Sequence, residues 1–95
     1  MVEWEYTLQD PEGLHARPVS KLVMKALKFS SDIRVSLYQN SADAKNILEL
    51  MALGACRNDT IRVQALGADE EEALEAVKTV LMQNDGLNPI TGANK

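Results

Sequence analysis

The hydrophobic pattern of this chain switches repeatedly between a period of two residues and a period of 3.6 residues. Apolar and polar side chains alternate strictly from Val2 to Gln9, which predicts a strand with one buried face. The apolar side chains from Ala16 to about Phe29 fall instead in one sector of a helical wheel, which predicts an amphipathic helix. Because the switches come at short intervals, the pattern favours one small domain that mixes strands and helices.

The middle of the chain repeats the alternation in shorter segments. Ile33 to Leu37 predicts a second strand, and a turn at 38–41 leads to a short third strand near Ala42 to Lys45. A fourth strand is predicted from Thr60 to Gly67. The resulting order, β-α-β-β-α-β-α, is of the α+β class and favours a single, mostly antiparallel sheet with the helices packed on one face.

Capping signals mark the two later helices. Asn46 and Glu49 are spaced as a capping box at the start of a short apolar helix, which Gly54 is placed to end. Asp69 and Glu72 have the same spacing before the last helix, which is expected to end at Asn-Asp-Gly, residues 84–86. Each pair predicts a hydrogen bond from a first-turn backbone N–H to the capping side chain.

Length and composition limit the chain to one domain. It has 95 residues, of which 10 are basic and 14 acidic, so the net charge is −4. A chain of this length can bury one modest core without disulfides or a structural metal. Residues 1–86 are expected to form that domain, and residues 87–95, which show no periodicity, a frayed tail.

The same composition disfavours several classes of protein. No apolar run approaches the ~20 residues of a membrane span, and the N-terminus does not resemble a signal peptide, so a cytoplasmic location is expected. With one cysteine, Cys56, and one histidine, His15, the chain has no internal disulfide and no cluster of metal ligands. The negative charge disfavours nucleic acid as a partner. We expect a monomer that needs no metal or cofactor, with Cys56 inert.

His15 lies where a turn meets the N-terminus of the first predicted helix. Residues Asp10 to Gly13 have the residue order of a type I turn, and the free N–H groups of the helix attract anions to the space beside the ring. A neutral imidazole can attack phosphorus directly, and Arg17 could hold the phosphoryl oxygens in a forked contact. The residues alone leave an alternative open, in which His15 only caps the helix and Arg17 is a solvated charge.

The six residues Gly13-Leu14-His15-Ala16-Arg17-Pro18 resemble the active-site signature of the HPr family, the histidine-containing phosphocarriers of the bacterial phosphoenolpyruvate:sugar phosphotransferase system. The resemblance extends from residue 1 to about residue 83. It includes Ala44 to Gly54, similar to the family's second-helix region, and Asp69 to Leu74, similar to the start of its last helix. The resemblance implies an open-faced β-sandwich, in which three helices cover one face of a four-stranded antiparallel sheet.

The resemblance also implies a reaction. Enzyme I, charged by phosphoenolpyruvate, would pass a phosphoryl group to Nδ1 of His15, and His15 would pass it to a histidine of a sugar-specific enzyme IIA. Arg17 matches the phosphate-stabilising arginine, and the backbone N–H groups of Ala16 and Arg17 would bind the phosphate. Such a protein is a transiently phosphorylated carrier rather than an enzyme.

A docking surface for enzyme I and enzyme IIA is implied in the same way. It would comprise residues of the first and second helices, namely Ser20, Lys21, Met24, Ile47, Leu48 and Met51. The alternative is that some of the apolar members belong to the core. A basic stripe on the first helix either suits an acidic partner or is a solvated face: Arg17, Lys21, Lys25 and Lys28.

Two residues depart from the family's pattern. Many members from Gram-positive bacteria carry a kinase-regulated serine at the start of the second helix, where this chain has Asn46, so the regulatory serine is absent. Glu12 stands where the family usually has a small neutral polar residue. Its carboxylate is expected either to repel a phosphoryl group on His15 or to pair with Arg17.

A second function, of another class, stays open at this point. An HPr-like regulatory module would dock on a partner enzyme, such as a kinase, or on a transcription factor, and the phosphorylation state of its histidine, or its docking alone, would be the signal. His15 favours the carrier. A ferredoxin-like ligand-binding domain would need a pocket that the pattern does not indicate.

Overall fold

The structure of the protein, a computed structural model, describes residues 1–86 as a four-stranded antiparallel sheet and three helices. In chain order the elements are β1 (Val2–Thr7), α1 (Ala16–Ala26), β2 (Asp32–Leu37), β3 (Asn40–Asp43), α2 (Ile47–Leu53), β4 (Thr60–Leu66) and α3 (Glu70–Asn84). The predicted element order and the α+β class are confirmed. The predicted tail, residues 87–95, lies outside the described residues.

The strands lie side by side in the order β1-β4-β2-β3, so the first strand pairs with the last. Every pairing is antiparallel, and the register places Val35 between Val63 of β4 and Ala42 of β3. Along β4, buried and exposed residues alternate, as in Ile61 followed by Arg62. The alternation in the sequence therefore identified the face of the sheet that is buried.

The helices cover that buried face. α1 and α3 pack against each other and contribute most of the helical part of the core: Pro18, Val19, Leu22, Val23, Ala26, Ala73, Leu74, Val77 and Leu81. α2, which packs against β3, buries only Leu50 and Leu53. Val80, predicted in the buried stripe of the last helix, is only half-buried at its edge. The open-faced sandwich implied by the resemblance is confirmed.

Two predicted boundaries differ from the observed ones. α1 ends at Ala26 rather than near Phe29, because the N–H groups of Lys28 and Phe29 bond to carbonyls three residues back, each at 3.1 Å, in tighter turns. β3 begins at Asn40 and ends at Asp43, two residues earlier than predicted. The reason is a loop of only two residues after β2, in which Tyr38 takes a positive φ of 56°.

One of the two predicted capping pairs forms. The Asn46 side chain accepts a hydrogen bond from the Glu49 N–H at 3.1 Å, and Gly54, with φ of 69°, ends α2. The Asp69–Glu72 prediction is wrong, because Asp69 makes no cap to its own helix. Its carboxylate instead accepts the N–H groups of Ser30 and Ser31, at 3.0 and 2.9 Å, and the Ser31 hydroxyl. Several donors from one ordered loop outweigh a single N–H at a helix terminus.

The connection between α2 and β4 carries Cys56. Its side chain is exposed, and its thiol donates to the Gly54 carbonyl at 3.3 Å. Across residues 1–86, no three or more His, Cys, Asp or Glu side chains are grouped so that they could hold a metal ion. In the same part of the chain, no helix combines the length and the apolar character that crossing a membrane requires.

Candidate functional site

The turn between β1 and α1 forms as its residue order predicts. The Gly13 N–H donates to the Asp10 carbonyl at 2.8 Å and closes the turn. Inside it, the Glu12 N–H donates to Asp10 Oδ1 at 2.8 Å, so the Asp10 side chain also holds the turn together. The turn delivers the chain to His15 in a defined orientation.

Gly13 is required by the close approach of another segment. Its φ is +65°, and a Cβ at this position would lie 2.4 Å from the Ala55 carbonyl oxygen and 2.7 Å from Cys56 Cα. The next residue, Leu14, donates its N–H to the same Ala55 carbonyl at 3.0 Å. The segment that follows α2 is thereby fixed against the start of α1, which places α2 beside the turn.

His15 is the N-cap residue of α1, and its backbone is extended, with φ of −97° and ψ of −172°. Its side chain makes no capping hydrogen bond, so the alternative that His15 merely caps the helix is wrong. The first intrahelical hydrogen bond runs from the Val19 N–H to the His15 carbonyl, at 3.1 Å. The N–H groups of Ala16 and Arg17 come before this bond and have no partner within the helix, and Pro18 has no N–H. The helix N-terminus therefore offers two backbone donors.

Each nitrogen of the His15 ring lies near a carboxylate. Nε2 is 3.3 Å from Asp10 Oδ2, within hydrogen-bond distance, and Nδ1 is 3.8 Å from Glu12 Oε1. The ring is 30% exposed, the Asp10 side chain 17% and the Glu12 side chain 75%. Asp10 is therefore a fixed neighbour of the ring, whereas Glu12 extends into solvent and is free to move aside.

Residues at the C-terminal end of α3 form hydrogen bonds with Asp10 and with the backbone next to it. Asn84 Nδ2 donates to Asp10 Oδ2 at 2.9 Å, and the Asp85 carboxylate accepts the N–H groups of Gln9 and Asp10 at 3.1 and 3.0 Å. The Tyr6 hydroxyl also donates to Asp85. Burial, together with this hydrogen bond, raises the pKa of Tyr6 above its usual value.

Hydrogen bonds to Asp10 stabilise its ionised form. The Glu12 N–H has the largest effect in lowering the Asp10 pKa, and the contacts from His15 and Asn84 act in the same direction. Sequence reasoning missed Asp10, Asn84 and Asp85 as parts of the site. The only available signal was the turn, which directs its first residue back toward His15.

Arg17 projects from the first turn of α1 and is exposed. Within the described part of the chain its guanidinium forms no ion pair, so of the two alternatives for Glu12 the pairing with Arg17 is not found, and Glu12 faces His15 Nδ1 instead. The rest of the basic stripe lies further along the chain, with Lys21 and Lys28 exposed and Lys25 half-buried. Lys28 belongs to the turn after α1, not to the helix.

The apolar members of the predicted docking surface are exposed rather than part of the core. Their exposed fractions run from 42% to 79%, in Met24, Ile47, Leu48 and Met51. Ser20 and Lys21 are exposed beside them on α1. α2 contacts α1, and the segment that follows α2 contacts Gly13, so the elements that carry these side chains lie close to the turn before His15.

The groups at this site suit nucleophilic attack by the imidazole on a phosphoryl group. An imidazole with one nitrogen hydrogen-bonded to a fixed carboxylate keeps its other nitrogen available as a nucleophile. His15 precedes two backbone N–H groups at the positive end of the helix dipole, and the exposed Arg17 is two residues further along; such groups bind a phosphoryl group.

Comparison of the sequence with known proteins finds relatives that are phosphocarriers. A family profile described as "PTS HPr component phosphorylation site" matches residues 2–83. Phosphocarrier protein HPr of Mycoplasma genitalium is 42% identical over 85 residues, which are 88% of this chain and 97% of that protein.

Solved structures agree with the sequence comparison. A mycoplasma histidine-containing phosphocarrier protein superposes with a TM-score of 0.87 at 32% identity, covering 88% of this chain and 96% of that one. HPr from Thermoanaerobacter tengcongensis gives a TM-score of 0.85 at 36% identity, covering 90% and 97%. The HPr of that organism has also been solved as a dimer.

Fold and sequence thus agree over nearly the whole described chain. The profile, the relative and the solved structures share one role, that of a phosphocarrier, which carries a phosphoryl group and is not itself an enzyme. The chain belongs to the HPr family, the phosphocarrier proteins of the phosphotransferase system.

Proposed function

We propose that His15 accepts the phosphoryl group at Nδ1, from phosphorylated enzyme I, and passes it to the histidine of an enzyme IIA. The observation that carries this proposal is the position of the ring. His15 is the N-cap residue of α1, but its ring makes no capping hydrogen bond. Nε2 lies within hydrogen-bond distance of Asp10, and Nδ1 lies near only the exposed carboxylate of Glu12. No other histidine is present in the chain.

The transfer exchanges one P–N bond for another. The Nδ1 lone pair attacks phosphorus, and the bond to the donor nitrogen breaks, returning its electron pair to the donor. The phosphoryl oxygens accept hydrogen bonds from the N–H groups of Ala16 and Arg17. Because Pro18 supplies no N–H, the Arg17 guanidinium provides the remaining charge stabilisation. The same steps in reverse deliver the group to enzyme IIA.

The docking surface supports transfer between proteins. Exposed apolar side chains such as Leu48 and Met51 lose contact with water when a partner covers them, and Arg17 and Lys21 attract acidic groups at the rim of that partner. We propose that the protein works in the cytoplasm as a monomer, because each transfer needs this one surface free for two successive partners.

Regulation by a seryl kinase at the start of α2 is not part of the proposed function. Asn46 occupies that position, and an amide accepts no phosphate. Its Oδ1 is engaged by the Glu49 N–H, which makes it a helix cap.

The proposal is tested by incubating the protein with enzyme I and phosphoenolpyruvate. We expect acid-labile, base-stable phosphate on the wild type and none on His15→Ala, whose circular dichroism should match the wild type because the ring caps nothing. Arg17→Ala should be phosphorylated about tenfold more slowly, since one charge-assisted contact is lost. Arg34→Ala, which makes the same charge change on β2, is the control and should be phosphorylated at the wild-type rate.

Two results would contradict the proposal. One is acid-labile phosphate on His15→Ala, and the other is an equal rate for Arg17→Ala and the wild type. Adding enzyme IIA then separates the two candidate functions. A carrier loses its phosphate to enzyme IIA, whereas a regulatory module keeps it.

A further inference from the structure

We infer that Asp10 is a positioning residue for phosphoryl transfer, one that holds the Nε2–H of His15 and so keeps Nδ1 unprotonated for attack. This inference rests on the proposed function of His15 and adds a residue to it. It follows from the contacts of Asp10 with three separate parts of the chain: the turn, the ring and the end of α3.

The two carboxylate oxygens of Asp10 contact different partners. Oδ1 accepts the Glu12 N–H at 2.8 Å inside the turn. Oδ2 faces His15 Nε2 at 3.3 Å and also accepts from Asn84 Nδ2 at 2.9 Å. Because Oδ1 is held by the turn, the position of Oδ2 relative to the ring is fixed as well.

The end of α3 holds Asp10 from outside the turn. Asp85 accepts the N–H groups of Gln9 and Asp10, and Asn84 donates to the Asp10 carboxylate. The Asp10 side chain is only 17% exposed. Its carboxylate therefore has little freedom to leave the ring, unlike the exposed carboxylate of Glu12.

A fixed carboxylate determines which ring nitrogen carries the proton. An ionised carboxylate only accepts hydrogen bonds, so the ring nitrogen that faces it must be the N–H donor. Neutral imidazole has one N–H, and with Nε2–H facing Asp10 the lone pair is on Nδ1. Hydrogen bonds from Glu12, His15 and Asn84 keep Asp10 ionised at neutral pH.

Asp10 also fits the product of the transfer. When Nδ1 bonds to phosphorus and the donor nitrogen leaves with its electron pair, Nε2 keeps its proton. The ring then carries a formal positive charge, which faces the Asp10 carboxylate at a hydrogen-bond distance. No proton has to be exchanged with solvent during the step, so Asp10 acts through the ring and never touches the phosphoryl group.

The substitution Asp10→Asn tests the inference without removing the turn. Asparagine keeps an oxygen for the Glu12 N–H, and its amide nitrogen then faces Nε2; the Asn84 amide, which donates to Oδ2 in the wild type, can rotate to present its oxygen to that nitrogen. An amide N–H donates, so it favours the tautomer in which Nδ1 carries the proton and cannot attack. Asp43→Asn is the matched control, because Asp43 Oδ1 accepts the Lys45 N–H at 2.9 Å in the same kind of turn.

The tautomer can be measured directly because the chain has a single histidine. In protein labelled with ¹⁵N-histidine, at a pH where the ring is neutral, we expect Nδ1 to resonate as an acceptor nitrogen and Nε2 as a protonated one. Asp10→Asn should reverse the two assignments, and Asp43→Asn should not. Phosphorylation by enzyme I should slow about ten- to a hundredfold in Asp10→Asn alone.

The outcomes for the inference and for the proposed function are distinct. If enzyme I phosphorylates the wild type at His15 while Asp10→Asn keeps the wild-type tautomer and rate, the inference is overturned and the proposed function stands. If enzyme I leaves wild-type His15 unphosphorylated, the proposed function fails, and with it the role of Asp10 in transfer. A reversed tautomer with slowed transfer supports both.

Discussion

His15 has a carboxylate at each ring nitrogen, and the two differ in how firmly they are held. Asp10 is fixed by the turn and by Asn84, whereas Glu12 is three-quarters exposed and has no such anchor. The fixed carboxylate favours the tautomer with its lone pair on Nδ1, the form that attacks in the proposed mechanism. The exposed one, Glu12, lies beside Nδ1, the nitrogen that we propose carries the phosphoryl group, so its charge would oppose the product.

Removing the Glu12 charge should favour the phosphorylated protein. Two unit charges ~6 Å apart repel by roughly 3 kcal/mol at an effective dielectric of about 20, and solvent and salt at this exposed turn reduce that to about 1 kcal/mol. Glu12→Gln should therefore shift the equilibrium with enzyme I toward phosphorylated carrier by at most about tenfold. The measurement is the phosphorylated fraction at fixed phosphoenolpyruvate and pyruvate concentrations.

Salt supplies a second readout for Glu12, because an exposed charge is screened. The shift should shrink between low and high ionic strength. Glu72→Gln, which makes the same charge change in the first turn of α3, should leave the equilibrium unchanged. An unaltered equilibrium for Glu12→Gln at low salt would show that its carboxylate does not act on the phosphoryl group.

How far the sequence predicts a contact depends on where the partner lies in the chain. Asn46 and Glu49 are three residues apart at the start of one helix, so their hydrogen bond could be predicted from spacing alone. Asp69 has the same spacing to Glu72, yet its partners are Ser30 and Ser31, in the loop between α1 and β2. Local spacing contains no information about such a distant loop, which explains the wrong prediction.

The Asp69 contact should make stability depend on pH. The Ser31 hydroxyl, followed by the Ser30 and Ser31 N–H groups, lowers the pKa of Asp69 to about 2. An unfolded aspartate titrates near pH 3.9, so between about pH 4 and pH 2 the unfolded chain binds more protons than the folded one. The contribution is present above this range and is lost as the pH falls through it.

The variant Asp69→Asn isolates this effect from that of the other carboxylates. We expect the urea midpoint of the wild type to fall more steeply from pH 5 to pH 2 than that of the variant, so that the two curves converge at low pH. Parallel curves would show that Asp69 is not held as an ionised acceptor.

The strand order explains why the site contains residues from both ends of the chain. Since β1 pairs with β4, Leu8, the residue after β1, exchanges backbone hydrogen bonds with Asn58 and Asp59, just before β4. The end of α3 reaches the same edge and holds Asp10, 74 residues before Asn84. A six-residue motif predicts His15 and Arg17, but the hydrogen bond from Asn84 to Asp10 depends on this topology, which the motif does not contain.

The proposed docking surface gives a prediction for the binding of a partner protein. Leu48 is 79% exposed on α2, so Leu48→Ala should leave the melting temperature nearly unchanged and weaken binding to enzyme I about tenfold. Leu66→Ala, an exposed leucine at the far end of β4, is the control and should bind normally. Isothermal titration calorimetry measures both, and equal affinities for the two variants would place the interface elsewhere.

The central claim is that the phosphoryl group is carried on Nδ1 of His15, and one NMR measurement tests it most directly. Protein labelled with ¹⁵N-histidine has a single labelled ring, which can be phosphorylated by enzyme I and phosphoenolpyruvate and observed without purification. We predict that ³¹P couples to Nδ1, while Nε2 stays protonated and facing Asp10. Coupling to Nε2, or stable phosphate without coupling to either ring nitrogen, would contradict the account.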